Sequence, residues 1–205
     1  KGNCICNNGA AIAGGCDNRA SGSVSFVGGG MGVCANATNA VAVGGICNTS
    51  DGANSFIGSG VSNCATAKSD VVVGGTNNQT CGTCFNVIVG GTTNRVKGTT
   101  LGSSILGGQN NHICPKVGGN ANYSTIVGGC NNALSGACGF IAGGKSNTIR
   151  GIHTDSAITT SSITSVSSNM LHATNLYLKT VPTSDPGVDG VIWNSSGTLK
   201  VSQCN

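Results

Sequence analysis

Twelve cysteines carry most of the reactive chemistry in this chain of 205 residues. They stand at Cys4, Cys6, Cys16, Cys34, Cys47, Cys64, Cys81, Cys84, Cys114, Cys130, Cys138 and Cys204. Thiols hold zinc, attach haem, cycle as redox pairs or form structural disulfides, and spacing separates these uses. Cys81-Gly-Thr-Cys84 has the spacing of a zinc knuckle or a redox pair, but Phe85 follows where haem attachment needs a histidine. The only other close pair, Cys4-x-Cys6, does not complete a zinc site, and His112, His153 and His172 stand apart from both pairs. An even count in a chain with 3% aromatic residues favours a structural disulfide framework made in an oxidising setting. Metal binding and buried free thiols are the lesser readings, and no metal or cofactor is expected.

The remaining chemistry is sparse. All six acidic residues are aspartates: Asp17, Asp51, Asp70, Asp155, Asp185 and Asp189. Asp17, Asp51 and Asp185 fall at turn signals, where a side chain that bonds its own backbone is favoured. Gly28-Gly29-Gly30-Met31-Gly32 lacks the Gly-Lys-Ser/Thr that a phosphate loop requires, and there is no Gly-x-Ser-x-Gly elbow. An enzyme is therefore not expected. The net charge is +4, with Lys and Arg scattered singly, which excludes a nucleic-acid stripe or a polybasic membrane anchor. No apolar run approaches the roughly 20 residues of a membrane span, and a chain that opens at Lys1 reads as mature or trimmed. Glycosylation sequons occur at Asn36, Asn48, Asn78, Asn122 and Asn194. Asn48 and Asn78 belong to the repeat described next, which leaves Asn36, Asn122 and Asn194 as the candidates.

The elements that position these residues follow from a repeat, Gly-Gly-x-x-Asn. It runs Gly14-Gly15 to Asn18, Gly44-Gly45 to Asn48, Gly74-Gly75 to Asn78, Gly90-Gly91 to Asn94, Gly107-Gly108 to Asn111, Gly128-Gly129 to Asn132 and Gly143-Gly144 to Asn147. Two degenerate copies fill the gaps: Gly28-Gly29 without the Asn, and Gly58-Ser59 with Asn63 one place late. A period of about 16 residues sustained over most of a chain implies stacked units, because one unit cannot bury its own apolar face.

Apolar residues fill both places before each Gly pair, as in Ile12-Ala13, Phe56-Ile57, Val72-Val73, Ile88-Val89 and Ile126-Val127. Neighbours in a strand point to opposite faces, so both faces of this strand ask for burial. One is the interior of a coil; the simplest cover for the other is a second copy of the chain. The Gly pair turns the chain, and the Asn is expected to take a left-handed conformation or bond its own backbone, and, stacked in register, also to form a hydrogen-bonded ladder. A second turn signal follows at Gly22, Gly52, Gly82, Gly98, Gly136 and Gly151. The reading is an all-β, parallel β-solenoid, a narrow β-roll whose nine or ten rungs would make a shaft of about 45 Å. The stretch between Gly107 and Gly128 exceeds one period and reads as an insertion or an irregular rung.

The repeat resembles the head domains of trimeric autotransporter adhesins, with Ser55-Phe56-Ile57-Gly58 and Ser124-Thr125-Ile126-Val127-Gly128 matching their flavour. The double Gly plus Asn is more similar to repeats in fibre proteins of phages and large viruses. So is the segment from Asn175 to Gly187 and on through Gly190 to Val201, with Trp193 as its anchor. The resemblance implies a homotrimer. The expected organisation is a shaft over 1–151, a Ser/Thr-rich neck over 152–170 and a β-rich cap over 171–205. The leading expectation is a structural fibre or spike of a virion surface, or an extracellular filament, that reaches a host receptor or glycan. A bacterial adhesin head is the alternative and a solenoid polysaccharide depolymerase the third. Cys204 of one subunit bonding Cys4 or Cys6 of the next would lock a head-to-tail filament; pairing within one chain or trimer is the favoured reading.

Overall fold

The computed structural model describes residues 2–116, 119–173, 182–184, 192–195 and 198–201. The chain divides into two compact units, Lys1–Thr174 and Asn175–Asn205. Among the described residues there is no helix. The first unit is a parallel β-solenoid. One sheet has 10 strands, from Cys4–Ile5 to Thr148–Ile149, and the other 11, from Ala11–Ile12 to Leu171–His172. A third, narrower ladder of single bridges runs through Cys16, Met31, Ile46, Val61, Thr76, Thr92, Gln109, Cys130 and Lys145.

Register gives the true rung length. Cys4 pairs with Arg19, Arg19 with Cys34, Cys34 with Thr49 and Thr49 with Cys64, a step of 15 residues each time. Later steps of Gln79 to Arg95, Arg95 to His112 and His112 to Ala133 are longer. The expected period of about 16 is therefore the mean of a shorter rung and a few insertions. The long stretch between Gly107 and Gly128 leaves the register intact, since Ile105 still pairs with Ile126 and Ile113 with Leu134.

Strand alternation builds the interior from two inward columns. The first sheet supplies Ala20, Ala35, Ser50, Ala65, Thr80, Val96, Ile113, Leu134 and Ile149; the second supplies Val27, Ala42, Ile57, Val72, Ile88, Ile105, Ile126, Ile141 and Ile158. All are buried, and the paired side chains grow from Ala35 with Ala42 to Ile149 with Ile158. A single rung thus buries few apolar side chains, from Ile57 opposite Ser50 to Val33, Ala35, Ala40 and Ala42 together, and its stability rests on the rungs above and below.

The repeat asparagines close one corner. Asn78 is 0% exposed; its Nδ2 donates to the carbonyls of Gly74 (2.9 Å) and Gly91 (2.9 Å), and its Oδ1 accepts from the Asn94 N–H (3.0 Å). Asn94 and Asn111 repeat that pattern. Asn18, Asn48, Asn63, Asn132 and Asn147 belong to the same column, each with Nδ2 bridging two rungs. Of the roles expected for the Asn, the bond to its own turn's backbone and the ladder are both formed. The left-handed residue is its predecessor: Asp17, Cys47, Asn77, Thr93, Asn110, Asn131 and Ser146 have φ of 54–60°.

The two degenerate copies are in register after all. The left-handed glycines Gly30 and Gly60 occupy the place of Gly15 and Gly45, so the aligned units are Gly29-Gly30 with Val33 and Ser59-Gly60 with Asn63. Val33 is the one interruption between Asn18 and Asn48. Ser59 shows that the two glycines differ. A Cβ on Gly74 would meet nothing closer than 3.7 Å, whereas one on Gly75, at φ +90°, would sit 2.2 Å from the Gly91 carbonyl oxygen.

Residues 152–170, expected to form a neck, continue the solenoid instead. Phe140–Ile141 pairs with Ala157–Ile158, which pairs with Leu171–His172, and Thr148 bridges Thr164. The Ser/Thr composition that suggested a neck reflects polar corners on rungs whose Ile158 still faces inward. In the second unit, Ile192–Ser195 and Thr198–Val201 form an antiparallel pair, the hairpin expected there.

Gly74→Ala is expected to change stability by less than about 1 kcal/mol. Gly75→Ala, which forces a Cβ into backbone in a left-handed conformation, is expected to cost about 3 kcal/mol or more. Thermal unfolding of the two variants side by side checks this; equal Tm values would refute the distinction.

Candidate functional site

The cysteines are distributed outward by the same alternation that builds the core. Cys4, Cys34 and Cys64 share one outer row of the first sheet, separated by Arg19 and Thr49. Cys81 and Cys114 share another, separated by Lys97. Members of a row are therefore two rungs apart, about 9.6 Å, beyond the reach of a disulfide. The bond that forms links Cys4 to Cys6 within the first strand region. Cys34, Cys47, Cys64, Cys81, Cys84, Cys114, Cys130 and Cys138 carry free thiols, so among the described residues the framework expected from the even count is not formed. Cys204 lies outside the described residues. With Cys4 and Cys6 bonded to each other, a head-to-tail link to Cys204 would require exchange of that bond. Among the described residues no group of three or more His, Cys, Asp or Glu is placed to hold a metal.

Burial tunes these thiols unequally. The Cys64 thiol is pushed up to about 11 by burial, then by the Asp51 carboxylate and Cys81. Burial also raises Cys34 and Cys81, helped by Asp51 at Cys34 and by Asp70 at Cys81, while Lys97 and Arg95 pull Cys81 the other way. Cys16, Cys47, Cys114 and Cys138 are exposed.

Asp70 is the aspartate that departs most from a turn role. It stands in a buried polar column at the second corner with Ser25, Ser55, Asn86, Ser103 and Ser124. Its Oδ1 accepts from the Asn86 N–H (2.9 Å) and from Asn86 Nδ2 (3.3 Å), while Oδ2 is buried without a partner. Burial raises its carboxyl above the ordinary range, against the lowering effect of the Asn86 hydrogen bonds.

The sequons divide by the same geometry. Asn48 and Asn78 are ladder residues with no exposed surface. Asn36 is exposed and lies in an outer polar chain, accepting from Ser21 Oγ (2.8 Å) and donating to Asp51 Oδ1 (2.7 Å). Asn122 is half-buried, and its Oδ1 accepts from the Leu101 N–H (2.9 Å). The side chain of Asn194 lies outside the described residues.

Two surfaces stand out. The outer side of the second sheet is apolar from Phe26 to Val87, and Ser104 and Thr125 then interrupt the row. Phe26, Val41, Phe56, Val71 and Val87 are registered on consecutive strands. Val43, Val73, Val89, Leu106 and Val127 form a parallel exposed row, with Val73 at 46% and Leu106 at 45%. Here the doubly apolar strand expected from the sequence has its inner face buried and its outer face open. The second surface is a polar trough on the first sheet, lined by Ser62, Cys64, Asn77, Gln79, Thr93 and Arg95. Of the trough residues the sequence reading named only Cys64, and it gave Asp70 no role; the signal is visible only once the register is fixed, when Cys64, Gln79 and Arg95 fall into one row.

Compared with protein-family models and with curated proteins, the chain matches none.

Alkylation by iodoacetamide at about pH 8 is expected to label Cys47, Cys114 and Cys138 at least about tenfold faster than Cys64. Peptide mapping by mass spectrometry reads the order, and equal labelling would contradict the burial described. Asp70 supplies a second test. Because its folded pKa is raised, the neutral carboxyl fits the fold at low pH, and stability is lost as pH rises through that value. Asp70→Asn keeps the acceptor without the charge and is expected to stabilise by about 1–3 kcal/mol at pH 7. The gain is expected to vanish near pH 3, which urea unfolding at the two pH values would show.

Proposed function

We propose that this chain is a self-associating structural shaft, the fibre or spike of a virion surface or of an extracellular filament, built to project an attachment surface toward a host. The observation that carries the reading is the apolar outer side of the second sheet. Monomeric proteins rarely leave contiguous apolar patches beyond about 300–600 Å² in water. Here an unbroken apolar row runs from Phe26 to Val87 on consecutive strands beside the exposed Val43, Val73 and Val89, with Met31, Ile46 and Val61 adding to them on the third ladder. A second and third copy of the same chain offer rows of the same spacing, and three solenoids packed about one axis would cover them all. The setting is assigned on the resemblance of the Gly-Gly-x-x-Asn repeat and the last segment to viral fibre proteins. Repetition supports mechanical work over catalysis, since it spreads one chemistry along an axis instead of concentrating several groups at a point.

In light scattering coupled to gel filtration, the chain is expected to run as a trimer. The double variant Val73→Lys with Val89→Lys is expected to yield folded monomer. A wild-type monomer at about 10 μM would overturn the assembly reading. Gold-labelled antibody to the solenoid, applied to the native source, is expected to decorate projecting fibres; label on cell envelopes would favour the bacterial adhesin head.

A further inference from the structure

We propose that the trough on the outer side of the first sheet is a subsite for an acidic saccharide, with Arg95 receiving its carboxylate. The trough lies on a different sheet from the apolar flank, so the proposal stands whether or not the chain associates.

Three rungs build the trough. Cys64 pairs with Gln79 and Gln79 with Arg95, which puts their side chains in one outer row with about 4.8 Å between rungs. Ser62, Asn77 and Thr93 form the facing row, each at the left-handed corner two residues earlier, with φ of 55°, 55° and 60°. The floor is thereby set by backbone that cannot easily move, because each corner is bonded to the corner of the next rung. The Asn77 N–H donates to the Val61 carbonyl and the Thr93 N–H to the Thr76 carbonyl, both at 2.9 Å. Such a lining is rigid along the axis and repeats at a spacing that suits a linear polymer.

Charge selects the ligand. Arg95 is half-buried, and its Nε is enclosed without any hydrogen-bond partner. With Nε enclosed, the outer edge of the guanidinium is what the trough presents, and its planar pair of Nη groups matches a carboxylate. Two more cationic or titratable groups lie on the same side: Lys97, two residues along the strand, and His112, paired with Arg95 on the next rung. Burial and the charges of Arg95 and Lys97 hold the His112 imidazole below its ordinary pKa, which reports the positive field there. Asp51 and Asp70 act on the neighbouring thiols Cys64 and Cys81, so the field weakens toward the earlier rungs.

The rest of the lining is neutral and hydroxyl-matched. Asn77 and Gln79 each offer a donor and an acceptor, and Ser62 and Thr93 offer hydroxyls. No aromatic ring lines the trough, so a nucleobase has nothing to stack on. A single anionic group flanked by many hydroxyls is the chemistry of a uronate-type sugar.

The test uses the full chain and ligand-observed saturation-transfer NMR with three probes: a galacturonate trisaccharide, maltotriose as its uncharged counterpart, and sodium acetate. The galacturonate is expected to bind with a Kd of about 1 mM, and maltotriose and acetate at least about tenfold more weakly. Arg95→Gln is expected to weaken the galacturonate about tenfold or more, and Arg95→Lys less, because lysine keeps the charge without the fork. Arg19→Gln, in the same outer row but far along the axis, is expected to leave binding unchanged. No binding up to about 10 mM, an equal effect of Arg19→Gln, or acetate binding as tightly as the trisaccharide would overturn the proposal.

Discussion

The buried asparagine column is the constraint on which the solenoid depends. At each corner the second Gly carbonyl accepts a ladder N–H, as Gly91 does from Thr76, whereas the part-buried carbonyl of the first, Gly74 here, is met by the Asn78 amide. A buried carbonyl or N–H without a partner costs about 1–3 kcal/mol, so side-chain help at a stack of such corners adds up along the axis. Asparagine is the residue that fits, since its amide offers two donors and an acceptor in one plane. In Asn78 the donors take a carbonyl from each of two rungs and the acceptor takes the N–H of the next asparagine. The amide therefore fixes the height of the rung as well as closing the corner. The close approach of Gly75 to the Gly91 carbonyl is the counterpart: backbone can pass at that distance only where no Cβ intervenes.

With the corners held by polar bonds, the apolar interior can be thin. Few inward side chains per rung suffice, and the paired ones vary from Ala35 with Ala42 to Ile149 with Ile158 without changing the register. Such variation would be destructive in a globular core of fixed volume. Here the sheets are tied by ladder bonds along the axis, and the gap between them follows the local side chains. The insertions between Gln79 and Ala133 are tolerated for the same reason: extra residues enter at corners and leave the paired strands aligned.

What could be read from the sequence follows the same division. The Gly-Gly-x-x-Asn units, the parallel solenoid and the inward apolar residues were legible because each rests on a local rule of turn chemistry or alternation. The units at Gly29-Gly30 and Ser59-Gly60 were shifted by one, because a run of glycines and a Gly-Ser-Gly triplet offer two equivalent alignments. Only the left-handed conformation of Gly30 and Gly60 distinguishes them. The neck over 152–170 was read from Ser/Thr content, which outer and corner positions dominate, while the column through Ile158 continued unseen. The trough and Asp70 required the register itself, since residues 15 or 16 apart become neighbours only after every insertion has been placed.

The cysteines show why composition and geometry can point in different directions. An even count argues for bridges, yet a parallel stack puts equivalent positions of adjacent rungs within bonding distance and those two rungs apart beyond it. Cys34 and Cys64 bracket Thr49, and Cys81 and Cys114 bracket Lys97. In both rows the spacing excludes a direct bridge along the column. The thiols that burial holds protonated, Cys34, Cys64 and Cys81, fill outer-row space as small apolar groups between polar neighbours. Those left exposed, Cys47, Cys114 and Cys138, are the ones another molecule can reach. Any covalent reinforcement beyond Cys4–Cys6 among the described residues would thus join copies of the chain more readily than rungs within it.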